Sequence, residues 1–559
     1  MTSTTKIVNP PAASDRRSIL LVFAGLMLTM LLASLDQTIF STALPTIVGE
    51  LNGVNEMLWV ITIYILASTI MLPIYGKLGD LMGRKGLFIG AISVFILGSI
   101  VGGLAPDMTW LIIGRGVQGL GGGGLMLLSQ AIIADVVPAR ERGRYMGILG
   151  GVFALSSVAG PLLGGWFTDG IGWRWGLWMN IPLGLLAIVC AIFFLRLPAH
   201  PKVKVRVDVA GMALLGITST LLVLVSTWGG TKYSWGSPQI IGMSAGTVLA
   251  ACLFIWVESR AEHPIMSLHL FKDRNFNLTT AAGLITGIAM FGTLAYMPTF
   301  LQMVTGANAT QAGFLMIPMM AGLLVTSILS GQIVSRTGRY KWLPVAGMFI
   351  VAIALVLLST MSATMEVWLI CCYLALMGIG LGTSMQILVL IVQNQFPNSQ
   401  VGMATASNNY FRQIGASLGS AVVGSLFAHR LATLLTERIP AGASGGSGST
   451  GINSLTPAIV RALPEQLRTV VIGSYSDALT PIFVYMVPLL VLAGILLMFV
   501  KEIPLATSIH HGGPAEDAQG RDGVGAHGAD AEGAGPEGAG PDALDVPDQE
   551  LTVHRILPA

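Results

Sequence analysis

"GKLGDLMGRKG", residues 76–86, and "GQIVSRTGRYK", residues 331–341, are two versions of one turn. Shifted by 255 positions, Gly76 falls on Gly331, Leu78 on Ile333, Gly83 on Gly338 and Arg84 on Arg339. The first turn closes the second long apolar run of the chain and the second closes the tenth. A turn repeated at the same step implies two halves of six helices each, with two further helices between them.

The composition says where those helices lie. Only 10% of the 559 residues are charged and 53% are hydrophobic, against roughly 25% charge in a soluble domain. Crossing about 30 Å of hydrocarbon takes about 20 apolar residues. Fourteen runs meet that length, centred near Met30, Ile65, Phe95, Leu125, Phe153, Leu186, Leu221, Leu249, Gly287, Leu324, Val351, Leu381, Val422 and Leu490. The fold class is therefore an all-α integral membrane protein with 14 spans, and duplicated bundles of this kind build many secondary transporters. The halves are expected at 1–200 and 266–500, with the two additional helices at 201–265. The stretch 429–476, with "AGASGGSGSTG" at its middle, reads as a long outer loop. The Gly-, Ala-, Pro- and acid-rich stretch 501–559 reads as a disordered tail, since it lacks the apolar residues to bury a core.

Arg16 and Arg17 before the first run resemble a secretory start, but the run is too long for a signal peptide and thirteen more follow. Lys and Arg of short loops favour the cytoplasm. They gather on alternate turns, with Lys77, Arg84 and Lys85, then Arg140, Arg142 and Arg144, then Arg196, Lys202, Lys204 and Arg206, then Arg260, Lys272 and Arg274, then Arg336, Arg339 and Lys341. The other short turns offer Arg174 and Lys232. Both termini are thus expected inside, at the cytoplasmic (inner) membrane. The net charge of +2 reflects this anchoring and gives no reason to expect nucleic acid. Cys190, Cys252, Cys371 and Cys372 all fall in apolar runs and read as small core residues.

Asp36 is a carboxylate inside the first span, where a charge costs at least about 2.5 to 3.5 kcal/mol. Arg115 is the one cation well inside the first six spans. At about 1.5 Å per residue, both charges fall roughly 10 to 12 Å from the same end of their helices. Two readings follow: a fixed structural pair, or a carboxylate whose proton affinity is raised by desolvation and lowered by Arg115 and so changes between states. In the second half Asn408, Asn409, Arg412 and Gln413 form a polar cluster suited to meeting a substrate. "GLGGGG", residues 119–124, lies within a span and has no strand before it, so it is no phosphate loop. "GASLG" around Ser417 sits in a helix and not in a strand-to-helix turn, which argues against a hydrolase. His263 and His269 lack ligand companions. No enzyme chemistry, cofactor or metal is called for.

Four motifs in order resemble the major facilitator superfamily, and within it the fourteen-helix drug:proton antiporter branch, over roughly residues 17–500. They are "LDQTIFSTALP" (Asp36, Thr38, Ala43, Leu44, Pro45), "GKLGDLMGRKG" (Gly76, Leu78, Asp80, Gly83, Arg84, Lys85), "LIIGRGVQGLG" (Arg115, Gln118, Gly119, Gly121) and "GILGGVFALSSVAGPLLGG" (Gly160, Pro161, Gly164, Gly165). Ser156 stands in the last motif where the family usually has another glycine. The resemblance implies a major facilitator fold that exports amphipathic compounds, antibiotics among them, in exchange for protons by alternating access. It implies a latch in which Asp80, beside Arg84, pairs across helices with Arg144. It also implies an antiporter bend at Gly160, Pro161, Gly164 and Gly165, and adds Gln118 to the substrate cavity. Partners are then a small amphipathic substrate, protons and the lipid bilayer. The alternatives are export of an endogenous lipid or secreted metabolite, and a transporter-like membrane sensor.

Overall fold

A computed structural model describes residues 13–51, 56–195, 197, 208–230, 232–438, 460 and 463–507. Arg196, Lys202, Lys204, Arg206, the Gly/Ser centre of the outer loop and everything past residue 507 lie outside the described residues. Among the described residues, fourteen helices are long and apolar enough to span a membrane, and each contains one of the expected centres. They are α1 (Ala13–Leu51), α2 (Met57–Met82), α3 (Arg84–Gly103), α4 (Met108–Val136), α5 (Ala139–Ile171), α6 (Trp175–Phe194), α7 (Val209–Trp228), α8 (Pro238–Glu258), α9 (Arg274–Val304), α10 (Gln311–Thr337), α11 (Trp342–Ser359), α12 (Val367–Gln395), α13 (Val401–Arg438) and α14 (Glu465–Met498). The chain is a multi-pass membrane protein. Large apolar side chains such as Leu97, Phe193, Val248, Leu249 and Ile353 are left bare on the outside, where lipid replaces water. Cys252 and Cys372 are also exposed there, so they are not core residues.

The repeat is physical. Gly83 and Gly338 both take positive φ, 90° and 73°, which a residue with a Cβ rarely adopts. Gly76 and Gly331 make matching contacts with the opposite half. A Cβ on Gly76 would stand 2.8 Å from the carbonyl of Gly402 on α13, and one on Gly331 would stand 2.2 Å from that of Gly143 on α5. Absent side chains thus bring α2 to α13 and α10 to α5. Between the halves, α7 rests its Trp228 ring against Trp59 of α2, with centroids 5.8 Å apart, and its Ser219 hydroxyl lies 2.9 Å from that of Tyr410 on α13.

Two boundaries move. The stretch 429–476 is not all loop: α13 runs on to Arg438 and α14 begins at Glu465. Leu431, Leu435, Val471 and Tyr475 are buried together while Arg438 pairs with Asp477 at 2.7 Å, so these amphipathic flanks prolong both helices beyond the spans. Residues 501–507 are likewise held in place and are not part of a loose tail. Lys501 exchanges two hydrogen bonds of 2.9 Å with the Asn275 carboxamide. The Glu502 carboxylate accepts the Tyr340 N–H at 2.6 Å, and the Ile503 N–H donates to the Tyr340 hydroxyl at 2.7 Å. The Arg140 N–H, in the other half, donates to the Ala506 carbonyl at 3.0 Å. Burial pushes the Tyr340 phenol above its usual range, and its O–H donates to the Ile503 carbonyl at 3.1 Å. Tyr340→Phe removes a partner from both polar groups of Ile503, and is expected to cost about 1 to 3 kcal/mol. A thermal unfolding temperature in detergent equal to that of the parent protein would show that the contacts of residues 501–507 with Tyr340 carry no stability.

On the face opposite the Lys- and Arg-rich turns, Glu50 accepts hydrogen bonds from Arg174 and from the Trp173 indole. The Arg174 bond holds its carboxyl below the usual carboxylate range.

Candidate functional site

Helix α4 lies deep in the first half because its glycines let neighbours touch its backbone. A Cβ on Gly114, Gly119, Gly121 or Gly123 would come within 2.4 to 2.6 Å of backbone atoms of Gly102, Tyr64, Ala91 or Ser68 respectively. The "GLGGGG" run is a packing surface for α2 and α3. It sets Arg115 and Gln118 facing α1.

Arg115 there meets Asp36, and both are about 1% exposed. The Asp36 carboxylate also accepts the carboxamide N–H groups of Gln118 and Asn180, each at 3.0 Å. The same two carboxamides donate to the Ser99 hydroxyl, at 2.8 and 3.2 Å. Arg115 further donates to the Gln118 carbonyl oxygen at 2.8 Å, and its guanidinium lies between the Phe40 and Tyr64 rings, 4.2 and 4.4 Å from their centroids. The Asp36 charge is thus met by three donors, as a desolvated carboxylate requires. Gln118, expected in the substrate cavity, is fully buried and serves this network instead.

Between the halves lies a cavity of about 60 Å³. Its wall includes Gln37, Tyr64 and Gln130 from the first half and Phe291, Gln386, Arg412 and Gln413 from the second. Of the expected cluster, Arg412 and Gln413 reach this wall. Asn409 stands behind it, donating to Gln130 at 2.8 Å, and Asn408 points to Thr280 on α9 at 3.4 Å. A more open recess of about 380 Å³ between Thr305 and Val367 has no titratable group on its wall and lies apart from this chemistry.

Toward the Lys- and Arg-rich face, Asp80 does not pair with Arg144. Its carboxylate accepts Arg84 at 2.7 Å and the N–H groups of Gly402 and Met403 at 3.0 and 2.7 Å. Those N–H groups open α13, whose unpaired donors and partial positive charge attract an acid. Arg84 also pairs with Asp135 at 2.5 Å and donates to the Asn398 carbonyl at 3.2 Å. Arg144 is exposed and contributes its backbone N–H, which donates to the Ser335 hydroxyl at 3.1 Å. Arg142, buried alongside, reaches the Asn398 side chain at 3.4 Å.

In the antiporter motif, a Cβ on Gly160 would stand 1.9 Å from the Thr38 hydroxyl, and one on Gly164 2.9 Å from the Ile39 carbonyl. Pro161 falls between these contacts with α1. A Cβ on Gly165 would meet nothing within 4 Å, so no close helix contact requires a glycine there. Lower on α5, Gly147 and Gly150 would meet Ser327 of α10 at 2.3 Å each. One helix thus touches the charged helix of its own half and the facing helix of the other.

Sequence reasoning missed Asn180, Ser99, Tyr64, Gln37, Gln130 and Gln386. The available signal was carboxamides isolated in apolar runs, such as "LSQAII" and "SMQILV", residues 128–133 and 384–389.

The description Major Facilitator Superfamily matches residues 26–420. An uncharacterized MFS-type transporter of Mycobacterium tuberculosis is 39% identical over 502 residues, covering 90% of this chain and 72% of its own. Multidrug transporter protein MdtP of Bacillus subtilis is 34% identical over 525 residues, covering 89% and 95%. In fold, the chain is similar to the proton:xylose symporter XylE, with a TM-score of 0.57 at 14% identity and coverage of 87% and 97%.

Proposed function

The chain belongs to the major facilitator superfamily, and from that premise we propose that it is a proton-coupled antiporter exporting amphipathic drugs or related compounds across the cytoplasmic membrane, its Lys- and Arg-rich face and both termini inside. The observation that carries the coupling is Asp36, a carboxylate sealed with Arg115 one residue away from Gln37 on the cavity wall. Neighbours this close let a change in the cavity reach the carboxylate. Export follows as alternating access of α1–α6 against α9–α14. With the inner face closed by Asp80 of α2 capping α13, the cavity of about 60 Å³ is far below the roughly 300 to 1,000 Å³ of drug-sized sites, so the halves separate to load. Parting them toward the outside exposes Asp36 to a proton. Protonation weakens its hold on Arg115, and return to the inner side restores the pair and expels the proton.

The driving force is adequate. One charge crossing 100 mV supplies roughly 2.3 kcal/mol, which at 1.4 kcal/mol per tenfold sustains a gradient of about 40-fold per proton. In inverted membrane vesicles with an acidic lumen, the protein is expected to accumulate amphipathic dyes and to stop when a protonophore is added. Accumulation that ignores the pH gradient would overturn the coupling.

A further inference from the structure

Among the described residues, the cavity has one charged group on its wall, and that group has no partner. The Arg412 guanidinium makes no hydrogen bond or ion pair with any described residue. No Asp or Glu lines the cavity among the described residues. Asp36, next in sequence to the wall residue Gln37, turns the other way and is fully engaged by Arg115, Gln118 and Asn180. The remaining polar wall is neutral: the carboxamides of Gln37, Gln130, Gln386 and Gln413, with Tyr64 and Ser68. The rest is apolar, with Met30, Leu72, Met126, Phe153, Phe291 and Met385. Gln386 is 3% exposed and its side-chain oxygen finds no donor among the described residues. The wall thus offers a guanidinium donor and a carboxamide acceptor on one cavity.

Inside a membrane protein, charges pair with one another or with the substrate they serve. A guanidinium is the group best suited to a planar oxyanion, which it holds by two parallel hydrogen bonds. Resting on the export reading, we propose that the substrate is an anionic amphipath: an aromatic or apolar body packed on Phe153, Phe291 and the methionines, with its carboxylate, sulfonate or phenolate on Arg412. A cationic drug meets the wrong sign here, since no free carboxylate faces the cavity to offset Arg412. This separates the substrate site from the proton site by charge. The anion takes the second half's arginine, and the proton takes the first half's aspartate.

The test uses three pyrene derivatives that share one aromatic body and end in a sulfonate, a hydroxymethyl group or a trimethylammonium. Binding to the purified full-length protein is followed by pyrene anisotropy, and transport in reconstituted vesicles with an imposed pH gradient. The sulfonate is expected to bind at least 10-fold more tightly than the alcohol, and the ammonium more weakly than either. Arg412→Gln should remove the sulfonate's advantage and leave the alcohol's affinity within 2-fold. Arg412→Lys, which keeps the charge without the fork, should retain part of it. A preference for the ammonium, or a sulfonate affinity indifferent to Arg412→Gln, would overturn the proposal. A sulfonate that binds through Arg412 but is not moved leaves the charge assignment standing and refutes the export reading. If pH-driven transport occurs equally for all three, export stands and the charge assignment fails. No binding of any of the three refutes both.

Discussion

Asp36→Asn is expected to abolish pH-driven accumulation and to lower stability by more than a typical single change, because it leaves Arg115 unpaired. The neutral side chain can keep the hydrogen bonds from Gln118 and Asn180, which are both 3.0 Å long on one oxygen. What it cannot do is neutralise Arg115, which is 1% exposed. Removing one member of a buried pair costs about 3 to 5 kcal/mol, because the remaining charge has nowhere to go. Phe40, Tyr64 and the Gln118 oxygen offset part of that, so a loss nearer about 3 kcal/mol is expected, read as a lower thermal unfolding temperature. Loss of transport in the single variant is therefore ambiguous. The double variant Asp36→Asn with Arg115→Gln resolves it, because no unpaired charge remains. If Asp36 couples protons, the double variant should regain thermal stability and still exchange labelled for unlabelled substrate, yet show no accumulation driven by pH. Recovery of pH-driven accumulation would make the pair a structural strut.

The pair was legible from sequence because depth along a helix can be counted. Two charges at similar depth in a bundle of six have strong reason to meet. The spans were legible because length and apolarity alone decide them, and the repeat because Gly83 and Gly338 hold backbone angles that few other residues can. The partner of Asp80 was not legible. It consists of two main-chain N–H groups, of Gly402 and Met403, 322 and 323 positions away, and a helix end announces itself by no side chain of its own. The extension of α13 to Arg438 was hidden because its apolar residues Leu431 and Leu435 read as sparse until α14 supplies Val471 and Tyr475 to cover them. Gln118 was drawn to the cavity by resemblance, whereas a carboxamide three residues from Arg115 on a helix faces the same way as that arginine. Gln37, Gln130 and Gln386 carry no charge, so their isolation in apolar runs marks them as polar exceptions without telling which of them reach the cavity wall.

Asp80→Asn is expected to open the Lys- and Arg-rich face, and Arg144→Ala to leave it closed. The carboxylate bridges the halves by capping α13 with two N–H bonds, at 3.0 and 2.7 Å, while bonding Arg84 at 2.7 Å. An asparagine has one acceptor oxygen in place of two, and turns an N–H toward the remaining donor. It also loses the attraction of a full negative charge for the helix end, worth up to about 2 kcal/mol when partly buried. Hydrogen bonds to charged groups contribute about 1.5 to 3 kcal/mol each. With one such bond lost, the closed state should lose about 2 to 3 kcal/mol, which at 1.4 kcal/mol per tenfold is about 30- to 150-fold in population. The readout is a cysteine at the cavity residue Gln413, in a background with Cys190, Cys252, Cys371 and Cys372 removed, labelled by an impermeant thiol reagent from the Lys- and Arg-rich side. Asp80→Asn should raise the labelling rate by at least tenfold and slow transport accordingly. Arg144→Ala should change neither by more than twofold, because its side chain is exposed and its one cross-half bond is made by the backbone. If Arg144→Ala opens the face as widely as Asp80→Asn does, the closing contact runs through the arginine side chain, and the cap on α13 is not what holds the halves together.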